Sequence, residues 1–202
     1  MARETTIEAK PQTLNGDYKI SERAVASVDE MLQKDNDDKS LQRYKENLLG
    51  AAIQGDLGDA QDLRRVVILQ FKVIVEGNQQ DFTYHLDTEE GLLHIRNTPF
   101  ELEEGAKYKF AINFRVNREI VSGLRFHSKV RKHVFSTREE VVLGSFAPRS
   151  TTYEFLFPRH EWSEAPSGLL YRGTYHAECK FVDSDNVEHL CFPYSFAIKK
   201  VA

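Results

Sequence analysis

Residues 173–182 read GTYHAECKFV and residues 190–198 read LCFPYSFAI. In the first stretch Tyr175, Ala177, Cys179 and Phe181 alternate with Thr174, His176, Glu178 and Lys180, the period-two pattern of a strand with one buried face. In the second, Leu190, Phe192, Tyr194, Phe196 and Ile198 share a face, while Cys191, Pro193 and Ser195 take the other. Asp183-Ser184-Asp185-Asn186 is a turn signal between them, so a hairpin is predicted that puts Cys179 and Cys191 on opposite faces of one sheet. Those two are the only cysteines of the chain and cannot pair in that arrangement. A disulfide-stapled secreted module is therefore disfavoured, and a reducing compartment fits.

Upstream of this hairpin the same alternation recurs. Arg65 to Val75 carries Val67, Leu69, Phe71, Val73 and Val75 at alternate positions, and Tyr108 to Val116 carries Tyr108, Phe110, Ile112, Phe114 and Val116. Leu124 to Val130, Val141 to Phe146 and Tyr153 to Phe157 follow, punctuated by Glu76-Gly77-Asn78, Glu104-Gly105 and Ser122-Gly123. Short alternating strands at this spacing predict an all-β fold: an immunoglobulin-like antiparallel β-sandwich, without the Cys, Trp, Cys signature of true immunoglobulin domains. Before residue 62 the chain is polar, and its apolar residues fall at helical spacing. Ser21 can cap a segment with Val25, Val28 and Leu32. Asp38 or Ser40 can cap a second with Leu41, Tyr44 and Leu48, closed by Gly50. Each predicted helix has only about three turns, too short to persist alone in water. The division expected is a flexible helical arm over 1–62 and a sandwich over 63–202.

With 27 basic and 31 acidic residues the formal net charge is −4. No apolar run approaches the roughly 18–20 residues of a membrane span, and Met1 opens no signal-peptide pattern, so a cytoplasmic protein is expected. The seven histidines show no metal-ligand spacing and read as solvated strand or loop residues; Glu89-Glu90 and Glu103-Glu104 read as turn chemistry. Neither a nucleophile elbow nor a phosphate-cradling loop occurs, so no catalytic residue, metal or cofactor is expected. The basic stretch with Arg125, Lys129, Arg131 and Lys132 puts most of its charges opposite Leu124, Phe126, Ser128 and Val130, as an outer sheet face does, and the acidic balance disfavours nucleic acid.

One set of motifs is far more specific. FRVNREIVSG at 114–123, GSFAPR at 144–149, YEFL at 153–156, EAPSG at 164–168, YRGTY at 171–175 and the closing IKK at 198–200 together closely resemble the Rho GDP-dissociation inhibitors. DDKSLQRYKENLLG at 37–50 resembles that family's second arm helix. The resemblance runs from about residue 17 to the C-terminus. It implies a non-enzymatic regulator that holds a prenylated Rho-family GTPase (Rho, Rac or related) in its GDP form as a 1:1 heterodimer. The isoprenyl tail would lie between two sheets, and the pair would leave the membrane for the cytosol.

Carried over by position, the resemblance implies tail-lining roles for Val73, Phe100, Tyr108, Ile120, Leu143, Ala177 and Tyr194, all of which also suit ordinary sandwich core. It implies GTPase contacts for Asp38, Ser40, Tyr44, Leu48 and Asp185, and contacts to the partner's basic tail for Glu161 and Glu164. Where relatives have two tryptophans in the last strand this chain has Phe192 and Tyr194, and Pro99 precedes Phe100 in place of a regulatory serine. A prenyl shuttle indifferent to the GTPase body and a lipid-free scaffolding module are the alternatives. The arm motif argues against the shuttle, which needs only a cleft.

Overall fold

The computed structural model describes residues 18–20, 30, 33, 39–77 and 81–201. Two five-stranded sheets face each other. The first has the order β2-β1-β4-β7, from β1 (Val66–Val75), β2 (Phe82–His85), β4 (Lys107–Val116) and β7 (Tyr153–Phe157), with β8 (Ser163–Glu164) pairing beside the start of β4. The second has the order β3-β10-β9-β5-β6, from β3 (Phe100–Glu103), β10 (Glu188–Lys199), β9 (Gly173–Val182), β5 (Val121–Lys132) and β6 (Phe135–Phe146). The predicted β9–β10 hairpin forms, with Phe192 opposite Cys179 and Cys191 opposite Lys180. Cys179 is buried between the sheets, Cys191 sits on the outer face, and both are thiols. One pairing departs from an antiparallel layout: β3 runs parallel to β10, Phe100 beside Phe196.

Other departures have local causes. Strict alternation in β1 would put Val67 and Leu69 inward with Phe71, but a bulge between Ile68 and Gln70 shifts the register, so Val66, Ile68, Phe71 and Val73 join the core instead. A bulge also accounts for Ser122-Gly123. Gly123, at φ 56°, lies inside β5 rather than in a turn. Glu89-Glu90 opens a helix, with Thr88 as N-cap accepting from the Gly91 N–H and with Leu92 and Ile95 buried three residues apart. Gly91 is needed there because a Cβ would fall 1.7 Å from the His85 carbonyl oxygen. Glu89-Glu90 is thus the first turn of a helix rather than turn chemistry, the i, i+3 signal of Leu92 and Ile95 being short and interrupted by Gly91.

In the arm, α1 covers Lys39–Leu48 and α2 covers Gly50–Ile53; the helix at Glu89–Asn97 is α3. Gly50 does not close the arm helix. The chain stays helical to Ile53, whose N–H donates to the Leu49 carbonyl at 2.9 Å, and the positive-φ glycine is Gly55 at 91°. Leu49 and Ala52 are buried against Ala147 and Ile120, so the α1–α2 junction is held by the sandwich. Of the proposed first helix, Ser21 to Leu32, only Glu30 is described, and it is helical; Ser21, Val25, Val28, Leu32 and Asp38 lie outside the described residues.

Tyr18 makes a further anchor. It bridges to Leu190, its hydroxyl donates to the Leu86 carbonyl at 2.9 Å and contacts Ile68 N and O at 3.1 Å, and Arg64 stacks 4.7 Å from its ring. Burial pushes its pKa far up, so it stays a neutral donor.

Candidate functional site

The space between the sheets is closed at one end and parted at the other. Along β4 the inward residues Ile112, Phe114 and Val116 are buried, whereas Phe110 and Tyr108 are only half-buried. Over the eight residues from Val116 to Tyr108 a strand travels about 26 Å. At the closed end Phe126 and Phe181 pack with ring centres 5.3 Å apart, and Leu124 and Leu190 are fully buried. At the other end β6 is exposed from Phe135 to Glu140, including the positions that register places on the inner face, Thr137 opposite Val130 and Glu139 opposite Ser128. The hairpin of β5 and β6 thus projects past the sheet that faces it.

Five of the seven expected tail-lining residues gather towards the parted end. Val73 pairs with Phe82, Phe82 stacks 5.5 Å from Phe100, Phe100 stacks 5.9 Å from Tyr194, and Tyr194 pairs with Ala177. Tyr108 joins them through Phe110, which lies 5.2 Å from Phe71, itself 5.7 Å from Tyr194. Leu143 belongs to the same core cluster but sits further along β6, beside the bulge at Gly144. Ile120 is at the other end, packed with Leu49, Ala52 and Ala147 under the arm.

A groove of about 780 Å³ crosses from one sheet to the other at the parted end. Val75, Phe82, Leu102 and Ala106 line it, rimmed by Glu76, Glu101, Glu103, Lys199 and Lys200. Its volume falls in the range of small-molecule sites; none of the seven expected tail-lining residues lines it, and Val73 and Phe100 adjoin it through Phe82. The interior around these residues is not wholly apolar. The buried Tyr194 hydroxyl faces Cys179 and Ser128, and burial holds both Tyr194 and Cys179 far above their ordinary pKa values. Tyr108, hydrogen-bonded to Ser163, is raised by burial and by the nearby Glu139 carboxylate, and burial raises Glu139.

Glu161 and Glu164 are exposed near this mouth, Glu164 pairing with Lys107 next to Tyr108. Asp185 is exposed at the far end, in the β9–β10 turn. Ser40 and Tyr44 are exposed on α1, Tyr44 to 51%, and Leu48 is half-buried. The sequence reading missed a buried polar cluster beside Asp185. His189 Nε2 meets Asp183 Oδ2 at 2.9 Å, and Arg65 joins Asp183 at 3.7 Å and also pairs with Glu119. His189 is therefore buried, not solvated; alternation with Leu190 would put it on the outer face beside Cys191, and the register shift between Glu188 and Leu190 is not legible in the sequence. Among the described residues, no group of three or more His, Cys, Asp or Glu could hold a metal ion, and no helix is long and apolar enough to cross a membrane.

A parted two-sheet sandwich with a docked helical arm defines a binding protein, and sequence comparison says which kind. The family model described as RHO protein GDP dissociation inhibitor matches residues 4–201. The chain is 42% identical over 174 residues to a Dictyostelium discoideum protein bearing the name rho GDP-dissociation inhibitor 1, covering 86% of each. To the Rho GDP-dissociation inhibitor 1 of Bos taurus it is 36% identical, covering 88% of this chain and 83% of that one. To the Rho GDP-dissociation inhibitor of Saccharomyces cerevisiae it is 32% identical, covering 99% and 100%. The chain belongs to the Rho GDP-dissociation inhibitor family, whose members are regulators rather than enzymes. Among solved structures, a Niemann-Pick type C2 protein from the Japanese carpenter ant aligns at a TM-score of 0.37 and 6% identity over 49% of this chain and 79% of that one, a likeness too slight to carry an argument.

Proposed function

We propose that this inhibitor binds a prenylated Rho-family GTPase in its GDP form, one to one, in the cytoplasm. The isoprenyl tail lies between the sheets at the parted end, and α1 docks on the switch regions. The observation that carries the reading is the gradient of closure along the sandwich. A solid core needs no groove between its sheets, whereas here one opens at Phe82, which pairs with Val73 and packs on Phe100.

At about 0.8 kcal/mol per buried methylene, a C15 or C20 tail gains on the order of 10 kcal/mol on leaving water. A bilayer offers nearly the same, so removal from a membrane needs a second contribution. The exposed Ser40 and Tyr44 face of α1 is its source. That face is anchored at the closed end through Leu49 and Ala52, roughly 26 Å of strand from the tail site. A partner engaging both must therefore span the long axis of the sandwich, which links nucleotide retention to solubilisation. Glu161 and Glu164 beside the mouth suit the basic segment that precedes a prenylated cysteine, and Asp185 adds a contact at the arm end.

The test is to incubate the protein with membranes carrying prenylated Rho-family GTPases and measure what enters the supernatant. Ala177→Trp, which adds bulk on the inner face beside Tyr194, is expected to abolish prenyl-peptide uptake and extraction, yet keep weak binding to the unprenylated GTPase. Extraction at the unaltered rate by this variant, with its fold verified, would refute the tail site.

A further inference from the structure

The parted end carries apolar side chains that the described residues leave exposed. At the β5–β6 tip Val134 is 90% exposed and Phe135 76%, and in the loop before β9 Leu169 is 78%, Leu170 88% and Tyr171 51% exposed. Single exposed apolar residues are ordinary; five on two neighbouring tips are not.

The tips are fastened to each other. Lys132, at the end of β5, donates from Nζ to the Leu170 carbonyl at 2.8 Å and to the Arg172 carbonyl at 2.5 Å, and stands 4.8 Å from the Tyr175 ring. The Tyr175 hydroxyl donates to the Tyr171 carbonyl at 2.7 Å. Glu104 holds the loop from the other side, accepting from Gly168 N at 3.0 Å and from Arg172 Nε and Nη2 at 3.0 and 2.7 Å. The leucines are thus displayed by a braced loop.

Charge says what they are displayed to. From residue 129 to 138 the hairpin contains Lys129, Arg131, Lys132 and Arg138 and no acidic residue; Glu139 and Glu140, opposite Ser128 and His127, and Glu178, opposite Lys129, lie further from the tip. Read alone, that basic stretch was an outer sheet face; in the fold it flanks the apolar tips. Apolar side chains projecting from a cationic rim match a bilayer with anionic headgroups. The apolar groups enter the acyl boundary, and each cation near the surface adds attraction.

We propose that this end of the molecule docks weakly on phosphatidylserine-bearing membranes, with Leu169, Leu170, Val134 and Phe135 entering the interface. Resting on the function proposed above, the docking sets the mouth between the sheets against the bilayer, so that the tail moves from lipid to protein without crossing water.

The test is co-flotation of the full chain, without GTPase, on phosphatidylcholine vesicles with and without phosphatidylserine. Binding is expected only with phosphatidylserine and is expected to weaken with salt. Leu169→Ser/Leu170→Ser is expected to lower it about tenfold or more, and Arg131→Glu to remove the lipid preference. A Leu170→Trp variant supplies an independent readout, a blue shift of emission on these vesicles after subtraction of the Trp162 signal.

No flotation, equal flotation on both vesicles, or unaltered flotation of the folded double-serine variant would overturn the proposal. So would a double variant that binds soluble prenylated GTPase more weakly, or that loses self-association seen in the parent; the patch would then serve the GTPase body or a second copy. Uptake of a prenyl peptide separates the two readings. Flotation without uptake sinks the tail site alone, and uptake without flotation sinks the docking alone.

Discussion

Asp183 offers a sharp test of what holds the arm-proximal end together. Its Oδ1 accepts the N–H groups of Asp185 and Val187, each at 2.9 Å, shaping the β9–β10 turn. Its Oδ2 accepts from His189 at 2.9 Å, the imidazole donating because an ionised carboxylate can only accept, with Arg65 3.7 Å away. The side chains of Asp183, His189 and Arg65 are 3%, 2% and 9% exposed. Asp183→Ala strips three hydrogen bonds from a charged acceptor and leaves an arginine and a histidine buried with less compensation, which costs about 3–5 kcal/mol. Asp183→Asn keeps an oxygen for the two turn N–H groups and turns charge-assisted bonds into neutral ones, which costs about 2 kcal/mol.

Urea unfolding, with the slope unchanged, measures both. Acid titration adds a sign. Burial pushes the Asp183 carboxyl up, but the His189 hydrogen bond and the turn N–H groups outweigh it, so its native pKa is lowered. A lowered native pKa contributes stability that is present above the unfolded value, near 3.9, and is lost as pH falls through the native value. The alanine and asparagine variants are therefore expected to show a flatter acid limb than the parent. A cost below about 1 kcal/mol for Asp183→Ala, or an unchanged acid limb, would refute the account of this cluster.

Two other outcomes follow from single contacts. Tyr18→Phe leaves the Ile68 and Leu86 backbone groups without their hydroxyl partner, and is expected to cost about 1–3 kcal/mol in urea unfolding and to raise amide exchange around β1; no change in exchange would mean that the segment at Tyr18 is not a latch. Tyr44→Ala, on an exposed face of α1, is expected to leave stability within about 0.5 kcal/mol while accelerating GDP release from the bound GTPase; unaltered release would remove Tyr44 from the interface.

Period-two alternation made most of the strands legible, because a half-buried strand must alternate whatever lies opposite. The β9–β10 hairpin and the opposed cysteines came from that rule alone, and the family came from motifs such as FRVNREIVSG. Helix α3 escaped because Gly91 weakens the helical signal. It is there to let the helix pass close to His85, a contact that no local pattern contains.

What the chain decides by itself is which residues face inward on each strand, up to the first bulge. What lies beyond depends on partners distant in sequence. The Ile68/Gln70 bulge reassigned Val67 and Leu69, and packing under the arm took Ile120 away from the other six tail-lining candidates. Where the sandwich closes, where it parts, and which apolar tips are left uncovered all follow from how far one sheet extends past the other. Alternation along a strand reports only that a face is covered; the length and offset of the opposing sheet determine what covers it.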